Sequence, residues 1–66
     1  MLYAQLGNYS VAIHDFSQII SLNPDQADAY YNRGLAYRLS GDERQADIDF
    51  KKAIALDPSY RKIFSR

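Results

Sequence analysis

The 66-residue chain has no cysteine, no tryptophan, two prolines, three glycines and no surplus of either charge. Without cysteine there is neither a disulfide to staple a small fold nor a thiolate metal site, and the redox compartment is left open. Eight basic residues offset by eight acidic ones argue against nucleic acid as a partner, because non-specific binding needs a clear positive excess. No apolar run approaches the ~20 residues of a membrane span. The N-terminus lacks the basic start and apolar block of a secretory signal. No membrane partner is expected, and the cytoplasm is the favoured compartment.

Catalytic chemistry is equally sparse. His14 is the lone histidine and falls on the polar face of a helix, whereas a general base needs a partner and a cleft. Asp15, Asp25, Asp28, Asp47 and Asp49 match no calcium-loop spacing, and there is no H-E-x-x-H. These aspartates read as caps and solvated faces. No enzyme activity, metal or cofactor is expected.

What is present is helical periodicity. A chain this short can build one small domain and buries only about 60% of its unfolded surface. Tyr9, Ala12, Ile13, Phe16, Ile19 and Ile20 recur at three- and four-residue steps, the mark of an amphipathic helix over residues 9–22. Residues 1–6 read as the end of an earlier helix, with Gly7 at its C-terminal turn and Asn8 capping the next start. Asn23-Pro24 stops the helix, since the residue before proline leaves the α region. Asp25 is placed as the following cap. A second helix is expected over 26–39, a turn at Ser40-Gly41-Asp42, and a third helix over 43–56, its start capped by Asp42 with Gln45 three residues on. After Asp57-Pro58, Ser59 can cap a new helical start carrying Phe64. Tyr3, Tyr30 and Tyr37 fall at packing positions and read as core rather than as stacking platforms for bases.

The chain also repeats itself. Shifted by 34 residues, Tyr3/Tyr37, Gly7/Gly41, Ala12/Ala46, Asp15/Asp49, Phe16/Phe50, Ile20/Ile54, Leu22/Leu56 and Pro24/Pro58 are identical pairs. Tyr30, Gly34, Tyr37, Gly41, Ala46, Phe50, Ala53 and Pro58 stand at the spacing of a known repeat signature. On these residues the sequence resembles the tetratricopeptide repeat family. The resemblance implies an all-α fold of helix–turn–helix hairpins, part of an α-solenoid with a right-handed superhelix. Residues 1–66 form one such domain: a partial repeat over 1–24, a complete repeat over 25–58, and the start of a third first helix over 59–66.

Arg33, Glu43 and Asp47 depart from the family pattern. If Gly34 faces Ala46 and Tyr30 faces Phe50 across antiparallel helices, paired numbers sum to 80. Arg33 then stands level with Asp47, and an ion pair between them is expected at the seam.

In this family partner peptides lie in the concave groove lined by the first helix of each hairpin. The resemblance implies that Asp28, Tyr31, Asn32, Leu35, Arg38 and Leu39 face that groove. Asn32 would hold a peptide backbone through its amide, and Arg38 would pair with a carboxylate. Asn32, Lys62 and Arg66 also fall where some members clamp a terminal carboxylate. The remaining two clamp positions fall at Met1 and before it, which leaves that clamp incomplete. The expected function is a non-catalytic protein–protein interaction module. The alternative is a structural fragment that self-associates into a homo-oligomer through Leu2, Tyr3, Leu6, Ile63 and Phe64.

Overall fold

The computed structural model describes the backbone of residues 2–64 and the side chains of residues 8–62. The helices are α1 (Leu2–Leu22), α2 (Ala27–Leu39) and α3 (Glu43–Leu56), followed by a 3-10 turn (Pro58–Tyr60) and a single turn, α4 (Arg61–Phe64). Expectations that rest on the side chains of Tyr3, Phe64 and Arg66 lie outside the described residues. The two main interfaces are α2 on α3 and α1 on α2. The fold is a slab of 34 × 32 × 17 Å, and its short dimension is below two helix diameters of ~10–12 Å each.

That thinness explains the core. Its buried apolar residues are Ala29, Tyr30 and Ala36 from α2 with Ala46, Phe50 and Ala53 from α3. Small residues let the two backbones approach, and rings fill the space that remains. Gly34, buried in α2, marks the closest approach. A Cβ added there would lie 2.7 Å from Phe50 Cε1 and 3.2 Å from the Ala46 carbonyl oxygen. The expected Gly34–Ala46 contact is therefore present, and it accounts for a residue that costs a helix interior about 1 kcal/mol.

The α2–α3 turn is closed by its own backbone. Asp42 N–H donates to the Tyr37 carbonyl (2.8 Å), and Gly41 N–H donates to that of Arg38 (3.1 Å), the paired bonds of a Schellman ending. Gly41 takes φ +99°, a region costly for any residue with a Cβ. Asp42 Oδ1 then accepts from Gln45 N–H at 3.2 Å, so Asp42 caps α3 as read, while its own N–H is taken by the Tyr37 carbonyl and the return bond of a capping box is not made. Gly41→Ala should lower stability by about 1 kcal/mol. This would appear as a lower urea midpoint with an unchanged slope.

Three local expectations are corrected. First, the break at Gly7-Asn8 is absent, because α1 runs unbroken from Leu2 to Leu22. Glycine permits a positive φ without imposing one. At Gly41 the turn is held by the packed α2–α3 seam. Second, Asp25 does not cap α2. Gln26 N–H closes a turn onto the Asn23 carbonyl (3.2 Å), which makes Gln26 the N-cap, without a side-chain bond. Third, Ser59 does not cap the last turn. Asp57 Oδ1 accepts from both Ser59 N–H (3.1 Å) and Ser59 Oγ–H (2.7 Å), so the cap lies two residues earlier.

Candidate functional site

Three helices meet at one guanidinium. Arg33 Nε and Nη2 each donate to an Asp49 carboxylate oxygen at 2.8 Å, and Nη1 donates to Ser17 Oγ of α1 at 3.1 Å. Ser17 Oγ in turn donates to the Ile13 carbonyl at 2.7 Å. The rings of Tyr30 and Tyr37, one turn to either side on α2, lie 5.8 and 5.9 Å from the guanidinium carbon, within cation–π range. The Asp49 side chain is 3% exposed and that of Arg33 21%. The hydrogen bonds with Asp49 hold the Arg33 guanidinium above its already high ordinary value, against the opposing effect of burial. The buried carboxylate is fully compensated, and among the described residues no buried side-chain nitrogen or oxygen lacks a partner.

The expected Arg33–Asp47 pair is thus corrected to Arg33–Asp49. Summing residue numbers fixes the level along two antiparallel axes but leaves rotation about each axis free. Asp47 and Asp49 are roughly 200° apart around α3 at 100° per residue, so only one can face Arg33. Asp47 points to solvent and pairs with Lys51 one turn on, at 3.1 Å. The sequence did carry a signal for Asp49. It is identical to Asp15 at the 34-residue shift, a charged residue repeated among packing positions.

The six α2 residues expected to meet a partner share one face. At 100° per residue Asp28, Tyr31, Asn32, Leu35, Arg38 and Leu39 fall within an arc of about 120°. Asp28, Arg38 and Leu39 are exposed, whereas Tyr31, Asn32 and Leu35 are half-buried. Asp28 in the first turn and Arg38 in the last both complement the helix dipole. Tyr31 also packs: its ring centroid lies 5.8 Å from that of Phe50 and 5.1 Å from that of Tyr60. Lys62 is exposed, and Arg66 lies outside the described residues.

Two grooves border the rings that pack on Tyr31, one at Phe50 and one at Tyr60. One, about 220 Å³, is lined by Arg38, Glu43, Ala46, Asp47 and Phe50. The other, about 360 Å³, lies at the start of α2 among Asp25, Gln26, Ala27, Asp28, Leu56, Asp57 and Tyr60. Partial burial, then the charges of Asp28 and Asp57, push the Tyr60 phenol above its ordinary value. It therefore remains a hydroxyl donor throughout the neutral range. Tyr60 and Asp57 were missed as groove residues in the sequence, where Asp57-Pro58 reads only as a stop. Among the described residues no group of three or more His, Cys, Asp or Glu side chains could hold a metal ion. No helix of the described residues is long and apolar enough to cross a membrane.

A family model described as TPR repeat matches residues 2–41, and one described as Tetratricopeptide repeat matches residues 27–60. The chain belongs to the tetratricopeptide repeat family, whose helical hairpins serve protein–protein interaction. It is 43% identical over 56 residues to tetratricopeptide repeat protein 36 of Bos taurus, covering 85% of this chain and 30% of the bovine protein. It is also similar to Hsp70-Hsp90 organizing protein 3 of Arabidopsis thaliana, at 38% identity over 88% of this chain and 10% of the plant protein. Heat shock protein STI1 of Saccharomyces cerevisiae is 33% identical over 86% of this chain and 10% of the yeast protein. The chain therefore spans less than a third of the length of these relatives. No solved structure matches it significantly.

Proposed function

We propose that this chain is a non-catalytic interaction module that takes a partner peptide along the α2 face formed by Asp28, Tyr31, Asn32, Leu35, Arg38 and Leu39. The hairpin over residues 25–58 is its complete unit, flanked by 1–24 and 59–66. Stacked in a right-handed superhelix, this face would line the concave wall. One observation carries the reading: Asn32 is half-buried, yet its amide makes no hydrogen bond among the described residues. An amide that offers both a donor and an acceptor on a helix face suits the backbone of an extended peptide. Arg38, also without an ion pair among the described residues, supplies a charged donor for a carboxylate, and Lys62 and Arg66 are further such donors in the sequence. The relative named for organizing Hsp70 and Hsp90 makes the C-terminal tails of chaperones the first peptides to try.

The test is a fluorescence titration of a labelled peptide with an acidic C-terminus, alongside its amidated form. The free acid should bind and the amide should bind more weakly. Asn32→Ala and Arg38→Ala should each weaken binding by about 1–2 kcal/mol without altering the circular dichroism spectrum. Equal affinity in wild type and both variants would reject this face. Self-association through Leu2, Tyr3, Leu6, Ile63 and Phe64 involves side chains outside the described residues, and sedimentation at two concentrations tests it separately.

A further inference from the structure

The larger groove, at the start of α2, carries charge of one sign. Its charged lining residues are Asp25, Asp28 and Asp57, and Leu56 and Tyr60 supply its apolar wall. No lysine or arginine lines it. The helix dipole accounts for one of these carboxylates, Asp28 in the first turn of α2. It does not account for the other two. The Asp25 side chain makes neither a hydrogen bond nor an ion pair among the described residues. Asp57 follows the last residue of α3, where the dipole disfavours a negative charge. Ser59 occupies its Oδ1, whereas its Oδ2 has no such partner among the described residues. At the far end of the same face, Arg38 is exposed and unpaired among the described residues. Asp28 and Arg38 are ten residues apart in α2, roughly 15 Å at about 1.5 Å per residue.

We propose that the α2 face selects its peptide by charge spacing: an acidic C-terminus lies at Arg38, and a lysine or arginine about four or five residues upstream enters the groove of Asp25, Asp28 and Asp57. This rests on the peptide-binding reading above and adds to it the kind of peptide taken. The spacing follows from lengths. An extended peptide advances about 3.3 Å per residue, so about four or five residues cover the distance between the two ends. The chemistry of the groove sets its occupant. Leu56 and Tyr60 suit the methylene stem of a long basic side chain, and the carboxylates receive its charged head. The Tyr60 phenol, held protonated by partial burial and then by Asp28 and Asp57, adds a neutral polar group rather than a further negative charge. An acidic residue at this end of the peptide would meet three like charges, and a basic one at the other end would meet Arg38. Both penalties exclude wrong sequences as firmly as the matching contacts favour the right one.

The probes are three fluorescein-labelled, alanine-based peptides ending in aspartate, titrated into the full chain and followed by anisotropy. The first has an arginine five residues before the aspartate, the second has it immediately before the aspartate, and the third has none. The first is expected to bind about fivefold more tightly than the other two, and the advantage should shrink as salt is added. Asp28→Asn should remove most of that advantage while leaving the arginine-free peptide unaffected. Asp25→Asn should reduce it as well. Asp25 caps no helix, so this variant keeps the test available should Asp28→Asn disturb the start of α2. Three results would overturn the proposal. Equal binding of all three peptides, still weakened by Asn32→Ala and Arg38→Ala, would reject the charge spacing and leave the α2 face standing. An arginine advantage that survives Asp25→Asn combined with Asp28→Asn would place the basic side chain elsewhere. No binding by any of the three, nor by the acidic peptide of the preceding test, would remove the face and the spacing together.

Discussion

Asp49→Ala is expected to destabilise the fold by about 3 kcal/mol, because it strands a guanidinium whose other surroundings are two rings and one hydroxyl. The general range for breaking a buried pair runs higher. Arg33 keeps about one fifth of its side chain exposed, and water reaching that part softens the loss. A domain of this size holds only about 3–5 kcal/mol in total, so the variant should be largely unfolded at room temperature. A urea titration followed by circular dichroism reads the effect directly. The informative control removes both charges. Arg33→Met with Asp49→Leu should recover at least half of the lost stability, since no buried charge is then left without a partner. If Asp49→Ala melted within a few tenths of a kcal/mol of wild type, the guanidinium would have to be finding water instead, and the three-helix clasp would carry no energetic weight.

The second large effect is expected at Gly34. By helix propensity alone, alanine there would gain about 1 kcal/mol. The Cβ, however, would sit 2.7 and 2.8 Å from two Phe50 ring carbons and 3.2 Å from the Ala46 carbonyl oxygen. The ring cannot swing freely, because it packs against Tyr31, and the carbonyl belongs to the α3 backbone. Overpacking of this kind costs about 1–3 kcal/mol. Gly34→Ala should therefore come out roughly 1 kcal/mol less stable despite the better propensity, and Gly34→Leu should separate α2 from α3 altogether. A stabilised Gly34→Ala would mean that the hairpin relaxes around a methyl group, and the close-approach account of this glycine would fall.

These two sites also show what could be read from the residues in advance. The bounds of α3, the stop at Asn23-Pro24, the glycine turn at Gly41 and the small-against-aromatic seam at Gly34 all follow from local chemistry and spacing. Each is set by a property of the residue itself. The partner of Arg33 is not, because it depends on how far α3 is rotated about its own axis, and a one-dimensional register leaves that angle undetermined. The fate of Gly7 was illegible for a related reason. Gly7-Asn8 and Gly41-Asp42 are locally alike, and the packing of the flanking segments separates a turn from continuous helix. For the proposed face, the sequence supplied which residues share one side of α2. It could not reveal that Tyr31 would be held between Phe50 and Tyr60, or that Asp57 and Tyr60 would wall the groove beside Asp28.

The thin, alanine-rich slab has a thermal consequence. Unfolding exposes little aliphatic area, and the heat-capacity increment grows with the apolar area exposed. The curve of free energy against temperature should therefore be shallow, with enthalpy changing slowly across the biological range. At about 0.7 kcal/mol of melting enthalpy per residue, so short a chain melts over a wide span of degrees.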